Sequence, residues 1–112
     1  MPRVLVVDDQ PDSLLAARAA LMGAGHECVL AADGERALEL LAAGSFDVIV
    51  LDPAMPLHDG WPVLAAAGST PVVAVTGAGA AARLGGGRVA ARLTKPLDSA
   101  ALVAAVAGVL DR

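Results

Sequence analysis

Val48-Ile49-Val50-Leu51-Asp52 decides the fold: a short, mostly β-branched apolar run that ends in a carboxylate. Runs of this kind read as strands buried on both faces, the habit of parallel sheets. Working outward, the pattern recurs. Val4-Leu5-Val6-Val7 ends in Asp8-Asp9, and Val72-Val73-Ala74-Val75 ends in Thr76. A weaker run over 89–93 ends in Thr94-Lys95-Pro96. Open parallel sheets bind ligands beyond the carboxyl ends of their strands. Three carboxylates, a hydroxyl and an ammonium are therefore expected along one edge. That set can hold a divalent cation and a phosphoryl group.

Helices fill the intervals. Pro11 and Asp12 open one whose apolar stripe reads Leu14, Leu15, Arg18, Leu21 and Met22, ended by Gly23 and Gly25. Residues 27–31 form a second short strand. Asp33-Gly34 starts a helix carrying Ala37, Leu38, Leu40 and Leu41, stopped by Gly44. After Asp52 comes a loop rich in turn formers, Pro53, Pro56, Asp59, Gly60 and Pro62. A helix near 61–67 has room for about two turns. Residues 77–87 are rich in Ala and Gly, and each glycine costs a helix there roughly 1 kcal/mol against alanine. The last helix is expected over 98–110, capped by Asp98 or Ser99, with Leu102, Val103, Val106, Val109 and Leu110 as its buried stripe. Repeated β-α alternation requires right-handed crossovers and a parallel sheet covered on both faces.

Composition narrows the function classes. The 112 residues fit a single domain, 1–112, and at 56% hydrophobic they can fill one core. One Phe and one Trp leave the interior to aliphatic packing. A net charge of -4 and the lack of basic-aromatic clusters argue against a nucleic-acid surface. Cys28 is the only cysteine, which excludes an intrachain disulfide, a CxxC redox pair and a cysteine-rich zinc site. A reducing cytoplasm is the natural compartment. The start, Met1-Pro2-Arg3, leads straight into a strand without signal-peptide architecture, and no apolar stretch approaches the ~20 residues of a membrane span.

Taken in order, Val4 to Val7 with Asp8-Asp9, then Asp52 with Met55-Pro56 and Asp59-Gly60, then Thr76, then Lys95-Pro96 resemble the receiver domain of two-component response regulators. The resemblance covers essentially the whole chain. It implies a flavodoxin-like (βα)5 fold, a doubly wound five-stranded parallel sheet in the order 2-1-3-4-5. It also implies a phosphoacceptor that catalyses its own phosphorylation and dephosphorylation rather than a turnover enzyme. Asp52 would take the phosphoryl group from a sensor histidine kinase or phosphotransfer protein. Mg2+ would be held by Asp9 and Asp52 directly, by the backbone carbonyl of Ala54, and by Asp8 through water. Lys95 would bind a phosphoryl oxygen as a point charge. Thr76 would turn its hydroxyl to another oxygen and carry the switch. Output would go to an unidentified downstream protein, since the chain stops one helix after Lys95, with the molecule a monomer or weak dimer.

Three departures from the family pattern stand out. The third helix, between Gly60 and Pro71, and the fourth, between Thr76 and Lys95, are short. Arg92 stands where many receivers carry an aromatic residue that swings inward with the threonine. Residues 77–88, with Gly85-Gly86-Gly87, are expected to be mobile and to give atypical output.

Each residue also has a plainer reading. Asp8-Asp9 can be a capping turn before Pro11, Asp52 a turn residue before Pro53, and Thr76 a strand-end hydroxyl bonded to local backbone. Lys95 can be a solvated charge. His58 reads as a loop residue, His26 as a surface residue beside the second strand, and Cys28 as a small core residue. Trp61 reads as packing on the third helix. Gly77-Ala78-Gly79-Ala80-Ala81-Ala82 spells a loose dinucleotide fingerprint, but it follows the wrong strand and no acidic partner serves a ribose. Two other functions stay open beside the receiver. One is a phosphorylation-independent interaction module on the same scaffold. The other is a phosphatase of the haloacid dehalogenase type, although Asp8-Asp9-Gln10-Pro11 lacks that family's Asp-x-Asp.

Overall fold

Five parallel strands form one sheet in the order β2-β1-β3-β4-β5. They are β1 (Arg3–Val7), β2 (Glu27–Ala31), β3 (Val48–Leu51), β4 (Val72–Thr76) and β5 (Ala91–Thr94). The helices among the described residues are α1 (Pro11–Gly23), α2 (Gly34–Ala43), α3 (Gly60–Ala66) and α4 (Ser99–Leu110). The computed structural model describes residues 1–53, 60–77 and 89–111, with Trp61 in backbone only. The expected fourth helix, the loop around Met55, Pro56, His58 and Asp59, and the Ala54 carbonyl lie outside the described residues.

Alternation along the strands builds two cores, because successive side chains point to opposite faces. Leu5, Val7, Ile49, Leu51, Val72 and Ala74 face Ala37, Val63, Leu64 and Ala67, beneath α2 and α3. Val4, Val6, Val48, Val50, Val73 and Val75 face Leu14, Ala17, Leu21, Leu102, Val106 and Val109, beneath α1 and α4. β1, β3 and β4 are buried on both sides, which explains their unbroken apolar runs.

The expected apolar stripe of α1 needs correction. Leu14, Ala17 and Leu21 are its buried residues, whereas Leu15 and Met22 are 57% and 55% exposed. Large side chains drew the sequence reading to one side, but the small Ala17 lets the helix backbone approach the sheet. The last strand is also shifted. It spans Ala91–Thr94 rather than 89–93, so Thr94 belongs to the strand and pairs in register with Thr76. The shortened third helix is observed: α3 has 7 residues.

Local chemistry sets the helix starts. Asp33 caps α2 by accepting from the Arg36 amide, and Asp98 caps α4 by accepting from the amides of Ala100 and Ala101. Gln10 occupies the cap position of α1 but makes no side-chain cap there; Pro11 begins the helix instead. Cys28 is half-buried against the α1–α4 side. His26 precedes β2 and is also half-buried, with Nδ1 enclosed and without a hydrogen-bond partner among the described residues, so it is less of a surface residue than its sequence context suggests.

Candidate functional site

Chain direction reverses its spread across the sheet between β1 and β3: β2 lies outside β1, and β4 and β5 continue beyond β3. Such a switch point leaves a crevice at the carboxyl edge. The register brings Val7 opposite Leu51, so the next residues, Asp8 and Asp52, emerge side by side. The Asp8 amide donates to the Ala31 carbonyl at 3.1 Å, and the Asp52 amide donates to the Val7 carbonyl at 2.9 Å. The ladder therefore runs on through both aspartates and fixes their backbones. Asp8 and Asp52 are 5% and 7% exposed, while Asp9 is open to solvent.

Each of Asp8, Asp9 and Asp52 offers a carboxylate oxygen within 4.8 Å of the others. Buried carboxylates need a counter-charge, because an unpaired buried ion is costly. Lys95 meets that need. Its ammonium donates to Asp52 Oδ2 at 2.8 Å and lies 2.9 Å from Asp8 Oδ2. A third bond goes to Gln10 Oε1 at 2.8 Å. Lys95 reaches this point because β5 lies beside β4, where its amide donates to the Thr76 carbonyl at 2.8 Å.

The charges do not balance evenly across this set. For Asp8, burial is the largest influence and raises its pKa above the ordinary 3.8, against the opposing pull of the Gln10 amide and of Lys95. For Lys95, burial is the largest single influence and pulls downward. Its bonds to Asp52 and Asp8, with their charges, together outweigh burial and leave its pKa above 10.5. The ammonium is thus the well-satisfied member, and Asp8 keeps capacity for further positive charge. Hard oxygen donors of this kind suit Mg2+.

Thr76 ends β4, is 0% exposed, and its hydroxyl has no hydrogen-bond partner among the described residues. Arg92 lies exposed on β5, in register with Ala74. The structure therefore gathers Asp8, Asp9, Asp52 and Lys95, with Thr76 on the neighbouring strand end. One residue at the site escaped the sequence reading: Gln10. Its only signal was a residue type that helix caps do not favour.

Residues 4–107 match the family model of the response regulator receiver domain. The chain belongs to this family. Similar receiver structures include that of the Francisella response regulator 1452, 28% identical with a TM-score of 0.88, covering 100% of this chain and 98% of that one. The Vibrio cholerae chemotaxis response regulator CheY4 is 28% identical with a TM-score of 0.86, covering 98% and 99%. Among curated proteins, the transcriptional regulatory protein PrrA of Mycobacterium tuberculosis is 45% identical over 65 residues, which are 58% of this chain and 28% of PrrA. The response regulator MprA of Mycolicibacterium vanbaalenii is 41% identical over 68 residues, covering 61% of this chain and 29% of MprA. The matched segments thus span under a third of the length of these curated relatives. Among the described residues, no helix is long and apolar enough to cross a membrane.

Proposed function

We propose that this receiver accepts a phosphoryl group on Asp52 from the phosphohistidine of a sensor histidine kinase or phosphotransfer protein, and signals to a partner protein. The observation that carries this reading is one ammonium bonded to two buried carboxylates, with a third carboxylate in ligand range. An Asp52 oxygen attacks phosphorus, forming the P–O bond. The P–N bond breaks, and its electron pair stays on the imidazole, which leaves neutral because its other nitrogen carries a proton. Little acid-base help is needed, since phosphoryl transfer depends mainly on positioning and charge neutralisation. Asp8, Asp9 and Asp52 would hold Mg2+, with the Ala54 carbonyl as a further proposed ligand. The ion would neutralise phosphoryl oxygens. Lys95 lends a fixed positive charge on the other side. The Thr76 hydroxyl, without a partner among the described residues, has a donor to offer a phosphoryl oxygen. Two states that differ in that contact would suffice for a switch, and loss of the acyl phosphate to water in the same site would reset it.

Transcriptional roles belong to the relatives that bear those names. A second reading, an interaction module that works without phosphorylation, draws on Arg92, which is exposed where many receivers carry an inward-swinging aromatic residue.

The deciding experiment is treatment with acetyl phosphate and Mg2+ followed by intact mass, comparing wild type with Asp52→Ala. A phosphoryl adduct in wild type alone is expected. No adduct here or with a histidine kinase, together with no Mg2+ binding, would overturn this reading and favour the interaction module. Asp9→Asn supplies the metal arm. It should abolish the rise in melting temperature caused by Mg2+, yet raise the melting temperature in EDTA by removing like-charge repulsion.

A further inference from the structure

Gln10 breaks a local rule in order to reach the site. Ser, Thr, Asp or Asn would cap α1 at this position, yet Gln10 makes no side-chain cap and turns its carboxamide to Lys95. Local rules are most often broken at functional positions. The contact spans 85 positions of the sequence. The main chain is committed as well, since the Gln10 amide donates to Asp8 Oδ1 at 2.9 Å. From the first turn of α1, Ser13 Oγ donates to Gln10 Oε1 at 3.4 Å.

An ammonium has three donors on a flexible four-carbon stem. Here each donor has its own acceptor: Asp8 Oδ2, Asp52 Oδ2 and Gln10 Oε1. Without the third, the group would be free to pivot about the line joining the two carboxylates. Gln10 supplies that third point without adding negative charge beside the carboxylates.

We propose that Gln10 is a positioning residue: its carboxamide oxygen aims the Lys95 ammonium at the place where the phosphoryl oxygens of Asp52 arrive. The proposal rests on the phosphoacceptor reading of Asp52. Positioning matters because small misplacements of a charged group lower transfer rates steeply.

Gln10→Ser separates this role from a structural one. Serine is the better helix cap but is too short to reach Lys95. The melting temperature should hold or rise. The maximal rate of phosphorylation by acetyl phosphate, at saturating donor and Mg2+, should fall on the order of fivefold, as for loss of one exposed charge-assisted hydrogen bond. Gln10→Glu, which keeps an acceptor at the same reach, should return the Lys95 signal toward that of wild type, while its added negative charge beside the carboxylates keeps the phosphorylation rate below wild type. Lys95 is the only lysine in the chain, so 15N-lysine labelling reports its ammonium as a single side-chain signal. In Gln10→Ser that signal should shift, and its proton exchange with water should quicken. An unmoved lysine signal, or a moved signal with wild-type phosphorylation, would overturn the proposal. If wild type accepts no phosphoryl group, the phosphoacceptor reading fails by itself, while the lysine signal still shows whether Gln10 holds the ammonium.

Discussion

Thr76 shows how much one residue can hold in reserve. Its hydroxyl is buried, and its Oγ1 has no hydrogen-bond partner among the described residues. A buried unsatisfied polar group costs about 1–3 kcal/mol. Thr76→Val replaces the hydroxyl with a methyl group of the same shape. We expect it to stabilise the unphosphorylated protein by about 1 kcal/mol, measured as a higher urea midpoint at unchanged slope. Phosphorylated Thr76→Val should lose the conformational difference from the unmodified form. A midpoint at or below wild type would show that the hydroxyl is already satisfied. At this scale the sequence was most legible for Asp8, Asp9, Asp52, Thr76 and Lys95, because each follows an apolar run and strand ends converge in a parallel sheet. Gln10 was not legible. Its partner lies on a distant strand, and no periodicity marks it.

Elements begin and end where local chemistry dictates. Asp98 holds the start of α4 by accepting from Ala100 at 2.9 Å and Ala101 at 3.3 Å. Asp98→Ala should cost about 1 kcal/mol, the usual loss for such a cap. For a domain of this size that lowers Tm by about 4 °C, readable by calorimetry; an unchanged Tm would mean that solvent replaces the cap at no cost. The caps of α2 and α4 and the four strongest strands were readable beforehand, since those signals lie within a few residues of each other. The face of α1 was misread because burial goes to Ala17 as much as to leucine. How closely a helix approaches a sheet is not a property of the helix alone. The start of β5 was misplaced for a similar reason: pairing with β4, from Val73 opposite Ala91 to Thr76 opposite Thr94, defines it.

Across the whole molecule, Lys95 ties the ends of three strands together, joining the residue after β5 to Asp8 after β1 and Asp52 after β3. Its folded-state pKa lies above 10.5. Folding therefore favours the protonated form, and the linked stability is fully present below 10.5. It is lost as pH climbs through the folded value. In EDTA, the urea midpoint of wild type should drop more steeply than that of Lys95→Met as pH rises past 10.5. Parallel curves would mean that the clamp contributes no net stability. Asp8 responds to pH in the same direction, although there the raised pKa favours the uncharged form. Its raised pKa means that the folded state gains relative to the unfolded state as Asp8 takes up a proton, when pH falls toward 3.8. Local sequence was enough for β1 to β4, the caps of α2 and α4 and the chemical types at the strand ends, because strand and cap preferences act over a few residues and alternation of strand with helix permits few topologies. Folding in three dimensions was needed to show which carboxylates share one ammonium, that Thr76 is buried without a partner among the described residues, and that Gln10, at the cap position of α1, reaches Lys95 instead. Those facts depend on the register between strands far apart in the chain, where a shift of a single residue would turn each side chain to the other face.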